Sequence, residues 1–315
     1  MSYLFCYPHI RITSSSRIDL IIDLDGKRVC KIDDIYIKYN YFFHKRYIKI
    51  DKETDQLLIL FANFIQENKF GVVLNEKELS YFDLEEKWEV QYRLDIVEVE
   101  LSNYTIIRLS QIINAFISLN CKTFILIFLN KIDFNFDELL QVVAALPISL
   151  NILIVDTCDF TVDLENLNIL AKLKQINSVY YSVKVKEKLN YEIVKGALID
   201  KYFKIQVSSR NYFLSKTHHI YYYGRIFINR LGNYSNSYKS RNDFGFFDCK
   251  NPKFVFNNLD FISLWSINRG VITPCKFCEF RNICIDDSLL SYNKVNNCFE
   301  MIDYCEFAPK GEINL

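Results

Sequence analysis

The chain has 315 residues, half of them hydrophobic and 24% charged, which is the balance of a folded protein of two or three domains and not of a disordered one. Lys and Arg number 38 together, as do Asp and Glu, so the basic excess of a general nucleic-acid or anionic-membrane binder is missing. The strongest apolar run, Phe124 to Leu129, is far too short to cross a bilayer, and Met1 to Pro8 shows no basic stretch leading into an apolar one. A cytoplasmic location with no membrane or nucleic-acid partner is therefore expected.

Residues 1–90 read as a small α+β module. Ile18 to Leu24 and Lys27 to Ile32 are strand-like runs joined by Asp25-Gly26, a preferred two-residue hairpin turn, and a strand around Tyr3 to Ile12 extends the sheet. Asp33 to Tyr47 and Asp51 to Asn68 read as helices. The second has an apolar face of Leu57, Leu58, Leu60, Phe61, Phe64 and Ile65, with Gly71 placed to end it in the left-handed conformation. Val72 to Leu74 follow as a wing. Strands before helices is the order of a winged-helix-like domain. The pattern alone reads first as a small structural domain with no ligand, and beside it as a peptide-docking module at a strand edge; DNA reading fits less well, because the second helix has no Arg/Lys cluster.

Residues 91–190 alternate strand and helix. The strand candidates are Tyr104–Arg108, Thr123–Leu129, Leu150–Val155 and Val179–Tyr181; the helices are Ser110–Asn120, Asp137–Leu146 and Asp163–Ile176. This alternation predicts a parallel α/β layer, either an open sheet or part of a barrel. Neither a Gly-x-Gly-x-x-Gly nor a Gly-x4-Gly-Lys phosphate loop occurs among only eight glycines. Cys6, Cys30, Cys121 and Cys158 stand far apart and read as packing residues.

Residues 191–315 change character. Ile220 to Ile228 alternates like a strand, and Gly232-Asn233 marks a turn. His218 and His219, adjacent on such a strand, would point to opposite faces and could not serve one site together. Beyond them, five of ten cysteines fall within 31 residues: Cys275-Lys-Phe-Cys278-Glu-Phe-Arg-Asn-Ile-Cys284, then Cys298 and Cys305. Cys-x2-Cys lets two thiolates grip one metal from a single turn. The thiolate six residues on returns to the same centre, and a later cysteine closes it. Buried free thiols or a disulfide framework are the competing readings, the latter disfavoured in a reducing cytoplasm.

Trp265-Ser-Ile-Asn268, Ile272, the Cys275–Cys284 stretch with its Glu-Phe-Arg281, and Cys305-Glu-Phe-Ala-Pro309-Lys-Gly311-Glu312 resemble the SPASM domain of peptide maturases. The likeness is greatest to the "grasp-with-spasm" systems, which work with ATP-grasp ligases on ribosomally made peptides. It covers about fifty residues by motif and the rest by organisation. The fold class it implies is α/β with an α+β N-terminal module: a winged-helix-like leader-recognition module (1–90), a degenerate radical SAM-like βα region (91–190) and a SPASM-like cluster domain (191–315). The resemblance makes Cys275, Cys278, Cys284 and Cys305 ligands of one [4Fe-4S] cluster, with Cys298 and Cys249 as weaker candidates and no cysteine pair around Gly232 for a second cluster. The same four thiolates would also suit Zn2+.

Radical SAM chemistry needs a Cys-x3-Cys-x2-Cys loop, and the chain has none. It therefore reads as an accessory protein that holds a precursor's leader peptide and works with an ATP-grasp ligase, without autonomous radical activity. Two alternatives stand beside this: a radical SAM-type maturase that depends on a partner subunit, and a zinc-stabilised interaction protein.

Overall fold

In the computed structural model, the residues described are 2–15, 18–51, 54–75, 78, 94–129, 134–155, 164–182, 196–199, 205–240, 242–303, 305 and 307. Their architecture is mixed α/β, with four sheets and several helices. Tyr7-Pro8-His9 breaks the first extended run in two. Strand β1 (Ser2–Cys6) is the centre of an antiparallel sheet β5-β1-β6, with β5 at Tyr47–Ile50 and β6 at Gly71–Asn75. Strand β2 (Ile10–Ser14) joins β3 (Asp19–Asp23) and β4 (Arg28–Lys31) in a second antiparallel sheet.

The hairpin was expected to turn on two residues, but Asp23 pairs with Arg28 across a four-residue loop. Lys27, not Gly26, carries the positive φ of 51°. Gly26 is needed for another reason: its N–H donates to Asp23 Oδ1 at 2.8 Å, and a Cβ there would lie 2.4 Å from Oδ2. The expected helix Asp33–Tyr47 is instead a 3-10 turn (Asp34–Tyr39), a short helix α1 (Tyr41–Lys45) and the start of β5. Helix α2 (Gln56–Glu67) forms as expected, capped by Asp55 on Leu58 N–H. Lys69 takes the left-handed turn at φ 58° in place of Gly71. Gly71 is required by a close approach, because a Cβ there would sit 2.1 Å from the Phe5 carbonyl oxygen. Val72–Leu74 lies within β6, paired antiparallel with β1.

One apolar cluster draws on residues 4–73, among them Leu4, Ile10, Phe42, Phe61, Ile65 and Phe70, all 1% exposed or less.

The largest sheet has the order β11-β10-β9-β8-β7-β12-β13. Its strands are β7 (Ile96–Glu100), β8 (Thr123–Phe128), β9 (Leu150–Ile154), β10 (Ile176–Ser182), β11 (Gly196–Ile199), β12 (Arg225–Ile228) and β13 (Tyr234–Ser235). All pairs are parallel except β12 with β13. From β7 to β11 each strand lies beside its predecessor, and β12 returns to the free side of β7. The two ends of the sheet are β11 and β13, and no ladder joins them among the described residues. Helices α3 (Asn103–Ile117), α4 (Phe136–Ala144) and α5 (Leu164–Lys172) connect successive strands.

The expected strand Tyr104–Arg108 is the first turn of α3. A reciprocal cap between Ser102 and Thr105 satisfies both amides, and this outweighs the local β preference of Thr105-Ile106-Ile107. The strand lies just upstream at Ile96–Glu100. Its period of two sends Val97 and Val99 to the helix-covered core, and Glu98 to the opposite face. The expected strand Ile220–Ile228 is shorter, since residues 220–224 form turns before β12. Helix α6 (Ser209–Leu214) precedes it and α7 (Leu259–Ser263) follows. A small sheet β14-β16-β15 (Ile272–Thr273, Cys298–Met301, Leu290–Asn293) ends the described chain.

Candidate metal centre

Strand β14 delivers the chain to Pro274 and a 3-10 turn, Cys275–Phe277, so that Cys275 and Cys278 stand at either end of one tight turn. The Cys278 N–H closes it on the Cys275 carbonyl at 2.9 Å. The following turn brings the Ile283 N–H onto the Phe280 carbonyl at 2.9 Å. Cys284 then forms an isolated antiparallel bridge with Ile205.

Cys275, Cys278, Cys284 and Cys305 all line one small hollow, together with Arg269, Pro274, Arg281 and Phe307. The first three are 5–7% exposed, and Cys305 is half-buried. These are the four cysteines the sequence singled out. Cys298 and Cys249 are placed elsewhere. The Cys298 thiol points to Glu300 Oε1 at 3.7 Å, and Cys249 accepts from Arg108 Nη2 at 3.7 Å beside the main core.

Among the described residues, no three His, Cys, Asp or Glu side chains stand at metal-coordinating geometry. The four thiols therefore share a hollow without being drawn onto one point. Cys275 Sγ donates to Met301 Sδ at 3.0 Å, and Cys278 Sγ accepts the Phe280 N–H at 3.4 Å. The hollow between them is about 10 Å³, roughly the space of one water molecule. Burial pushes the Cys278 thiol up to about 12 and raises those of Cys275 and Cys305, with Arg269 acting against the shift at Cys275.

Arg269 is the residue the sequence reading missed. It is 3% exposed, and its guanidinium spans the site. Nε donates to the Cys284 carbonyl at 3.1 Å, Nη1 to Cys275 Sγ at 3.3 Å and Nη2 to the Asp286 carbonyl. Burial alone would lower its pKa, but the thiols of Cys284 and Cys275, with Asp286, outweigh that and raise it. Four thiolates around one metal carry a net negative charge, and a buried guanidinium bonded to one of the sulfurs complements it. The donor set suits either Zn2+ or an iron–sulfur cluster, and Arg269 supplies the outer hydrogen bond that either would use.

From Phe280 to Ile283 the chain packs on the sheet β2-β3-β4, while Arg281 also borders the hollow. Ile283 is fully buried against Ile22, Leu24 and Tyr212, with Phe280 and Val29 beside it. Arg281 Nη1 donates to the Ser14 carbonyl at 2.9 Å, and Asn282 Nδ2 to Thr13 Oγ1 at 2.9 Å. No sequence signal marked this contact, because nothing local to Arg281 or Asn282 names a partner 267 or 269 residues away.

His218 and His219 lie in turns and not on a strand, edge-on to Tyr223 and tilted against Tyr222 respectively, and neither lines the hollow. Cys158, Glu306 and Pro309 to Glu312 lie outside the described residues. A comparison with known protein families and with curated proteins finds no match to this chain.

Proposed function

We propose that the chain is an accessory protein of ribosomal peptide maturation of the grasp-with-spasm type. It holds a precursor's leader on residues 1–90 and one metal centre on Cys275, Cys278, Cys284 and Cys305, and it works with an ATP-grasp ligase. The observation that carries the reading is the convergence of those four thiols on one hollow beside a buried arginine. A [4Fe-4S] cluster on four thiolates has no open iron. When bound it would hold this part of the chain together or pass electrons, and it would not bind a substrate.

For the leader, the outer edge of β4 pairs with no strand among the described residues and offers ladder hydrogen bonds to an extended peptide. A groove of about 650 Å³ lies beside it, lined by His9, Asp25, Arg28 and Gln66. Exposed Ile35, Ile37, Ile59 and Leu60 add apolar surface on the same N-terminal part.

One observation favours a second reading, the zinc-stabilised interaction protein. Four cysteines around one hollow form the closed thiolate donor set of a structural zinc site as well as that of a cluster. Anaerobic purification with metal analysis and a visible spectrum separates the two. Iron and sulfide with brown absorption support the first reading, and zinc that persists after iron–sulfide reconstitution supports the second. Titration with a synthetic leader peptide tests the maturation role, and its failure to bind removes that role whichever metal is found.

A further inference from the structure

The seam between strand β2 and helix α6 gathers positive charge. Arg11 comes from β2 and is 7% exposed. Its guanidinium lies 5.7 Å over the Tyr212 ring and 5.1 Å over that of Phe213, both on α6. Arg46 stands beside it, since Nη1 of each donates to the Ile10 carbonyl, at 2.9 Å from Arg11 and 2.7 Å from Arg46. Arg46 caps α1 in the left-handed conformation, φ 69°, where glycine is favoured, so its side chain is what the position keeps. Lys216, two residues beyond α6, lays its amine over the same Tyr212 ring at 4.3 Å. Arg281 completes the set from the Cys278–Cys284 turn, with Nη1 on the Ser14 carbonyl at the end of β2.

The described hydrogen bonds of these arginines go mainly to backbone carbonyls: Pro8 and Ile10 for Arg11, Tyr7, Pro8 and Ile10 for Arg46, and Ser14 and Cys278 for Arg281. A carbonyl orients a guanidinium without neutralising it. Burial, and then the Arg46 charge, lowers Arg11 to about 10, while Tyr212 and Cys6 act the other way. Neither of those two is charged near neutral pH. Burial raises the Tyr212 phenol above its ordinary 10 and pushes the Cys6 thiol up to about 11, against the pull of the same arginines. Burial and then the charges of Arg281 and Arg11 lower the Lys216 amine to about 8. The field across the seam is therefore positive, and crowding like charges there costs stability unless an anion meets them.

We propose that this seam binds a phosphoryl dianion, held by the Lys216 ammonium and the Arg281 guanidinium, with the buried Arg11 supplying further positive charge behind them. Lys216 is an exposed residue, open to a ligand from solvent, and its amine makes no hydrogen bond or ion pair among the described residues. Arg281 uses Nη1 for its two carbonyls, which leaves Nε and Nη2 as donors. Three guanidinium groups and an ammonium exceed what one carboxylate neutralises. A tetrahedral dianion takes a planar fork on one pair of oxygens and a point charge on another. Free phosphate and the phosphate of a nucleotide share this chemistry.

The full-length protein is titrated by calorimetry at low salt with inorganic phosphate, AMP and acetate. Phosphate is expected to saturate with a Kd below about 1 mM, and acetate to bind at least about tenfold more weakly. AMP binding no tighter than phosphate assigns the site to free phosphate; tighter binding assigns it to a nucleotide. Lys216→Met should weaken phosphate about tenfold, and Lys216→Arg should keep most of the affinity. Lys250→Met removes the same charge from an exposed position elsewhere and should change nothing. Thermal melts check that the variants fold, and phosphate should raise the wild-type Tm more than that of Lys216→Met. No saturation by phosphate, acetate binding as tightly as phosphate, or Lys216→Met binding no more weakly than Lys250→Met overturns the proposal.

Discussion

Replacing Arg269 by methionine keeps an unbranched side chain in the same buried space but removes a cation that is 3% exposed. Two carbonyls, of Cys284 and Asp286, and the Cys275 sulfur lose their donor together. Each orphaned buried acceptor costs about 1–3 kcal/mol, and relief of the buried charge offsets part of that. The metal-free protein should therefore lose about 1–4 kcal/mol of stability. The metal-bound protein loses in addition a charge-assisted hydrogen bond to a sulfur of the centre, worth about 1.5–3 kcal/mol, so metal affinity should fall about 10- to 100-fold. Anaerobic competition against a chelator measures the affinity, and denaturant melts with and without metal measure the two stabilities. Arg269→Lys keeps the charge without the planar fork and should fall between wild type and Arg269→Met. Equal loss of stability in both states with unchanged metal affinity would refute the argument, because Arg269 would then be a packing residue alone.

Cys278→Ser should lower the metal-to-protein ratio and reduce the stability gained on metal loading; an unchanged ratio means that Cys278 is not a ligand. Ile283→Ala should cost about 2–5 kcal/mol, with hydrogen-exchange protection lost in β2 and β3 as well as near the cysteines. Loss confined to the cysteine turns would show that the two regions are independent. Gly71→Ala should cost about 1–3 kcal/mol in denaturant melts, since its Cβ meets the Phe5 carbonyl oxygen at 2.1 Å and β1 would have to separate from β6; wild-type stability would show that the strands yield freely. Burial, with Arg269 adding to it and Asp286 opposing, holds fully buried His219 well below its ordinary 6.5. The unfolded chain then takes up a proton below about pH 6.5 that the folded one refuses. Stability should fall on acidification from pH 6.5 to 5 with a slope that approaches about 1.4 kcal/mol per unit at the acid end, and His219→Gln should remove that contribution.

Local signals located the hairpin β3–β4, the buried strands β8, β9 and β10, and helices α2, α4 and α5, because short apolar runs bounded by turns or caps determine such elements by themselves. They misplaced α3, where three β-branched residues in a row hide a capping box whose energy is larger than their preference. They missed β7, whose inward Glu98 and Glu100 look like solvent-facing positions until the sheet order sets Arg225 beside Glu98. That pair is 127 residues apart in the chain, and no periodicity encodes it. In the thiol site the four cysteines were legible from spacing and resemblance. Arg269 was not, since an arginine in a polar turn reads as surface until its burial is known.

The segment from Cys278 to Asp287 is where these separate parts meet. Two of its thiols line the sulfur hollow, Phe280 to Ile283 pack on the β2-β3-β4 sheet, and Ile285 and Asp287 line a cavity at the amino ends of β7, β8 and β12. It has little regular structure of its own, only short turns and one bridge to Ile205, so its order comes from what it touches. A metal drawing Cys278 and Cys284 onto one point would fix both ends of Phe280 to Ile283, and with them the footing on which the N-terminal sheet rests. By linkage, whatever that sheet binds would then hold the metal more firmly, by the same factor by which the metal strengthens its binding. A centre with no open coordination position can in this way still govern binding, through the shape of ten residues and not through its own chemistry.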